Sequence, residues 1–183
     1  MRIVLLGDSH LARVRRDLPM VGPDVCNVAE GGASALDLLA QATRAAVDEG
    51  DLVVVSIGTN DAAPWKQVPV RVFARAVLDC MQSVPARRWL YVAPPGVDES
   101  RLTGSGNRTN AILDEYRDAA VSACNDAGAR VVRTERVIKP LGAGAFVSDG
   151  LHLSGPAYKV LLPAIAEATV QGNRAPRHVT GSR

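Results

Sequence analysis

A serine hydroxyl is a poor nucleophile at neutral pH until a base accepts its proton, and that base works only when a further group fixes its orientation. Ser9, His152 and Asp149 supply those three residue types. In Asp149-Gly150-Leu151-His152 the carboxylate lies one turn from the imidazole, near enough to hold its Nδ1–H and leave Nε2 facing the serine. Negative charge developing on the oxygen of an attacked carbonyl needs fixed donors. The backbone N–H groups of Ser9 and Gly32 and the side-chain amide of Asn60 are the available set. A glycine in that set lets the backbone approach closely and adopt positive φ.

For these residues to meet, the fold must gather positions far apart in the chain. Continuous apolar runs alternate with amphipathic segments, the pattern of a parallel sheet covered by helices on both faces. Strands are expected at Arg2 to Leu6, Val25 to Val28, Leu52 to Ile57, Trp89 to Ala93 and Arg130 to Arg133. In such sheets sites form beyond the carboxyl ends of the strands, where strand order reverses. Gly7-Asp8-Ser9-His10 follows the first strand, Ala29 to Ser34 the second and Gly58-Thr59-Asn60-Asp61 the third. In the order 2-1-3-4-5 all three clusters meet at one edge.

Helices complete the scheme. Ser34 caps one whose apolar face is Leu38, Leu39, Ala42, Ala45 and Ala46, ending near Gly50. A second runs from about Val68 to Ser83. A third, from Asn107 to Ala127, turns Ile112, Tyr116, Ala119, Ala120, Ala123 and Cys124 inward. Ser154 caps the last, which reaches Thr169 with Pro156 in its first turn and a kink expected at Pro163. Pro94 to Gly106 reads as a polar loop suited to binding. Residues 1–170 read as one domain, and the tail at 171–183, with little to bury, as mobile.

Gly7-Asp8-Ser9, Gly32 five residues after Asn27, Gly58-Thr59-Asn60-Asp61 and Asp149-Gly150-Leu151-His152 resemble, in order, the four sequence blocks of the SGNH hydrolases, also called GDSL-type esterases and lipases. Each block alone is weak; four in the right order after the right elements are a strong signal. The resemblance spans Arg2 to about Thr169. It implies a flavodoxin-like three-layer α/β/α sandwich and hydrolysis of ester or thioester bonds without metal or organic cofactor. It further implies Ser9 as nucleophile, Gly32 and Asn60 as oxyanion donors, His152 as base and Asp149 as its partner. Three positions depart from the pattern: His10 stands where Leu is usual, Leu153 where Pro is frequent, and Gly31 is an alternative glycine for the second block.

His10, Gly31 and Trp65 are therefore the candidate substrate contacts, with a structural reading open for each: His10 as a helix residue, Trp65 as half-buried packing. Asp8 and Asp61 read as loop organisers, and Arg101 and Arg108 as solvated charges that matter only for an anionic substrate.

The 183 residues carry 21 basic and 19 acidic side chains, a net charge of +2, too small a surplus for a phosphate-tracking surface, so nucleic acid is not an expected partner. Aromatic residues make up only 4%, which disfavours base-stacking platforms and a large sugar-binding groove. Cys26, Cys80 and Cys124 are widely separated and odd in number, so neither disulfides nor a zinc site is expected. The apolar run at Ile3 to Leu6 is too short for a signal peptide or a membrane span, which points to a cytoplasmic protein unless an export signal preceded it. The expected substrate is a small or medium acyl ester. Rival readings are an acyltransferase using the same acyl-enzyme, a catalytically silent binding module, and a nucleotide-binding domain, the last disfavoured by the absence of a Gly-x-Gly-x-x-Gly loop.

Overall fold

The computed structural model describes residues 1–102 and 107–170. Part of the expected binding loop, residues 103–106, and the expected tail, 171–183, lie outside the described residues. Five strands, β1 (Ile3–Gly7), β2 (Val25–Asn27), β3 (Leu52–Ser56), β4 (Arg88–Val92) and β5 (Arg130–Val132), form one parallel sheet in the order 2-1-3-4-5. The central pair β1/β3 runs in register from Ile3 opposite Leu52 to Gly7 opposite Ser56.

Side chains alternate across this sheet with period two, so a run that is apolar throughout feeds two cores. Val4, Leu6, Val53, Val55 and Tyr91 face one layer; Ile3, Leu5, Leu52, Val54 and Leu90 face the other. Helices α2 (Leu38–Arg44), α3 (Val70–Ser83) and α4 (Asn110–Asp126) cover the first face; α1 (Ser9–Ala12) and α6 (Gly155–Val170) cover the second, with the short α5 (Thr134–Val137) beside α6. The result is the expected α/β/α sandwich. In α3 the buried stripe is Phe73, Val77, Cys80 and Met81, the spacing of one helical face. The helix α6 is capped by Ser154 Oγ, which accepts the Ala157 N–H at 3.3 Å, and continues unbroken past Pro163. No helix among the described residues is long and apolar enough to cross a membrane.

Two expectations about helix faces are corrected. Ser34 does cap a helical segment, but this begins as a 3-10 turn (Ala35–Asp37), and α2 stops at Arg44 instead of near Gly50. Ala46 has φ +46, and this left-handed residue ends the helix. Leu39, placed on the apolar face by its spacing, is 43% exposed, because the short helix turns only Leu38, Gln41 and Ala42 toward the sheet. In α4 Tyr116, Ala120 and Cys124 are buried as expected, but the first turn buries Leu113 in place of Ile112, which is exposed, and Ala119 and Ala123 are only partly buried. Arg117 is buried on this side because it donates from Nε to Pro94 O at 3.0 Å and pairs with Asp114 and Glu135.

Candidate active site

The three loops that follow β1, β2 and β3 do meet at one edge of the sheet, and each is held there by identifiable contacts. Strand β1 ends at Gly7 with φ +131, and a Cβ there would lie 1.9 Å from Ser56 O; only glycine lets β1 run so close to β3. The buried Gln41 of α2 clamps the same residue, accepting the Gly7 N–H at 2.6 Å and donating to Gly7 O at 2.9 Å. One residue on, Asp8 caps α1 by accepting the His10 N–H at 3.0 Å. Ser9 is thereby fixed as the first residue of α1, its side chain at the sheet edge.

From the third loop, Asp61 Oδ1 accepts the Ala35 N–H at 2.8 Å and Asn60 Nδ2 donates to Ala33 O at 3.0 Å. These bonds tie the β3 loop to the β2 loop. Between them Gly32 stands at φ +81 with open space where a Cβ would point. The backbone N–H groups of Ser9, Gly31 and Gly32 donate to no acceptor among the described residues.

The last loop is a hairpin closed by the antiparallel bridge of Phe146 with Leu153 and by Val147 N–H to His152 O at 2.9 Å. Within it Asp149 Oδ1 accepts the backbone N–H groups of Leu151 and His152, at 2.8 and 2.9 Å. Its other oxygen, Oδ2, lies 2.7 Å from His152 Nδ1, and His152 Nε2 lies 3.1 Å from Ser9 Oγ. A continuous hydrogen-bonded chain thus connects residues 143 positions apart in sequence. Such a chain can take a proton from the hydroxyl while the carboxylate holds the ring in the matching tautomer.

Electrostatics separate the acidic groups. Burial alone would raise Asp149, but the hydrogen bonds from the His152 ring and from the His152 and Leu151 N–H groups outweigh it and hold the carboxyl down to about 2. Asp8 is the opposite case: burial pushes it up to about 7, against the His10 N–H, with the Asp61 charge raising it further and Arg108 opposing. Burial also raises Asp61 to about 6 and lowers the His10 imidazole to about 3.

A cleft of about 620 Å³ opens over the Ser9–His152 pair, and Gly31, Gly32, Asn60 and Trp65 line it. Trp65 is 68% exposed, a rim residue and not half-buried packing. His10 does not line this cleft. It is buried in α1, its backbone carbonyl accepting from Tyr158 Oη at 2.7 Å and its ring 6.2 Å from that of His152. Arg101 pairs with Asp98, while Arg108, read as a solvated charge, is buried against the cleft. Gln41 escaped the sequence reading; the one signal was an amide in an otherwise apolar helical stripe. Arg13 and Arg15 escaped it too, because α1 is a single turn and gives no periodicity to follow.

A parallel sheet in this order, with a Ser–His–Asp chain beyond its strand ends and glycine and asparagine donors beside the serine, defines the SGNH class of hydrolases. The chain belongs to the GDSL-like Lipase/Acylhydrolase family, whose model matches residues 6–160. Among curated proteins it is 27% identical over 121 residues to an isoamyl acetate-hydrolyzing esterase 1 homolog from Mus musculus, covering 56% of this chain and 49% of that protein. It therefore spans about half the length of that relative. Solved structures share the fold: a lipase/acylhydrolase from Enterococcus faecalis superposes with a TM-score of 0.75 at 20% identity, covering 96% of this chain and all of that one. An acetylxylan esterase from Geobacillus stearothermophilus superposes with a TM-score of 0.72 at 16% identity, covering 96% and 97%.

Proposed function

We propose that the protein hydrolyses carboxylic esters, or thioesters, of small or medium acyl groups through an acyl-enzyme on Ser9. The observation that carries this reading is the chain of contacts from Asp149 Oδ2 to His152 Nδ1 at 2.7 Å and from His152 Nε2 to Ser9 Oγ at 3.1 Å, opening on the cleft. Membership of an acylhydrolase family supports it, as does an esterase among its relatives.

Ser9 Oγ attacks the carbonyl carbon as His152 Nε2 takes the hydroxyl proton. The resulting oxyanion is met by the Ser9 and Gly32 N–H groups, which have no acceptor among the described residues, and by the second N–H of the Asn60 amide. Collapse of the tetrahedral species breaks the bond to the alcohol or thiol, which leaves with the proton from His152. Water then enters, gives a proton to His152 and attacks the acyl-serine. The second collapse releases the carboxylic acid and returns the proton to Ser9. Asp149 stays ionised throughout and steadies the imidazolium. The unit that carries this chemistry is residues 1–170.

Replacement of Ser9 by Ala tests the reading. The variant should fold, since the Ser9 hydroxyl bonds only to His152 among the described residues, and should lose p-nitrophenyl butyrate hydrolysis by roughly 10³-fold or more. A fluorophosphonate probe should label the native protein and not the variant. Undiminished turnover in Ser9→Ala would sink the assignment.

A further inference from the structure

We propose that the cleft is built for an ester carrying an anionic group, a carboxylate or a phosphate, and that Arg108 is the residue that binds it. This rests on the ester-hydrolase reading of the same cleft. Arg108 lines the cleft with Ser9 and His152, yet it is only 2% exposed. Its Nε and Nη1 are buried with no hydrogen-bond partner, and its guanidinium makes no ion pair with an acidic side chain among the described residues. Buried charges are as a rule paired and hydrogen-bonded, because removing them from water is otherwise unfavourable. An incoming anion would satisfy these donors.

The surroundings favour a ligand of that sign. Trp65 covers one face of the guanidinium, with its ring centroid 4.9 Å from Arg108 Cζ, which orders the plane of donors and keeps water off it. The carboxyl whose charge acts on it is Asp8, which burial holds largely neutral below about pH 7, leaving the Arg108 charge uncompensated there. Arg13 and Arg15 line the same cleft, both exposed, and among the described residues neither is in an ion pair and no Asp or Glu lines the cleft. In a chain of net charge only +2, the charged side chains that line this cleft are the three arginines Arg13, Arg15 and Arg108. Guanidinium groups, planar and always charged, suit carboxylate and phosphate oxygens, and a basic cleft raises the encounter rate with anionic substrates.

The test compares matched esters that differ in charge. One pair is p-nitrophenyl hemisuccinate against p-nitrophenyl pentanoate, with the charge on the acyl side. The other is butyryl glycerol 3-phosphate against monobutyrylglycerol, with a phosphate on the alcohol side. The native protein should show kcat/KM at least roughly tenfold higher for the charged member of one pair, the range of a charge-assisted hydrogen bond. Which pair responds identifies the group as carboxylate or phosphate. The preference should collapse in Arg108→Met and persist in part in Arg108→Lys, with circular dichroism melts to verify folding. Equal rates for charged and neutral members in both pairs, in the native protein alone, would overturn the proposal, as would a preference that survives Arg108→Met. Failure of the hydrolase reading looks different: neither member of either pair is cleaved, and the fluorophosphonate probe leaves Ser9 unlabelled.

Discussion

Replacing Asp8 with Asn should remove a large pH-dependent penalty on stability. Asp8 is 1% exposed; one carboxyl oxygen accepts the His10 N–H at 3.0 Å, and the other has no partner among the described residues. Burial raises the group from its ordinary 3.8 to about 7. Between those values the folded chain holds a proton that the unfolded chain has released, so stability falls as pH rises through the window and is lowest above it. At about 1.36 kcal/mol per pH unit, the gap corresponds to about 4 kcal/mol. Asn keeps the acceptor for His10 and cannot ionise. Two neighbours complicate the native curve. Asp61, raised to about 6, acts with the same sign. His10, lowered to about 3, acts against it, since the unfolded chain binds a proton between about 3 and 6.5 that the folded chain refuses. The difference between native and variant removes the His10 contribution and retains from Asp61 only its repulsion with Asp8, which has the same sign. Urea unfolding followed by far-UV circular dichroism, from pH 4 to 8 in half-unit steps, should show Asp8→Asn gaining about 4 kcal/mol on the native protein, most of it between pH 5 and 7. Parallel stability curves, or a gap that widens toward acid, would refute the argument.

Two further outcomes follow from particular contacts. Asp149→Asn places an amide N–H₂ opposite His152 Nδ1, which favours the tautomer that carries its proton on Nε2 and cannot accept one from Ser9. We expect kcat to fall roughly 10²- to 10⁴-fold, as for an orienting carboxylate elsewhere, with little change in the melting temperature. Because Asp149 in the native protein titrates near 2, loss of activity between pH 4 and 6 should not trace to this group; an acid limb that disappears in a variant retaining measurable activity would contradict that. Gln41→Ala leaves the buried Gly7 N–H without its acceptor, while Gly7 O keeps the Glu30 N–H at 3.0 Å, and a loss of about 1–3 kcal/mol is expected in chemical denaturation. A variant as stable as the native protein would show that the clamp is dispensable.

Sequence alone determined which segments form strands and which strand ends carry the polar clusters, while the order 2-1-3-4-5 came with the family resemblance and is the order the structure has. The reason is local: strands buried on both faces read as unbroken apolar runs, such as Leu52 to Val55, and turn-forming clusters such as Gly58-Thr59-Asn60-Asp61 are written into consecutive residues. The positions of Ser9, Gly32, Asn60, Asp149 and His152 were legible for the same reason. Helix faces were less so. Spacing cannot say that α2 stops at Arg44, or that α4 turns Leu113 inward and leaves Ile112 in water, because those depend on what each helix meets. Only the tertiary structure decided the environments of the charged residues. His10 and Arg108 are written like any surface side chain, but packing buries both, His10 of α1 against Tyr158 of α6 and Arg108 beneath Trp65. Burial acts through every element that surrounds a group, and no stretch of sequence contains that information. Asp8 and Asp149 are the same residue type near the same serine, and their surroundings alone hold one at about 7 and the other at about 2.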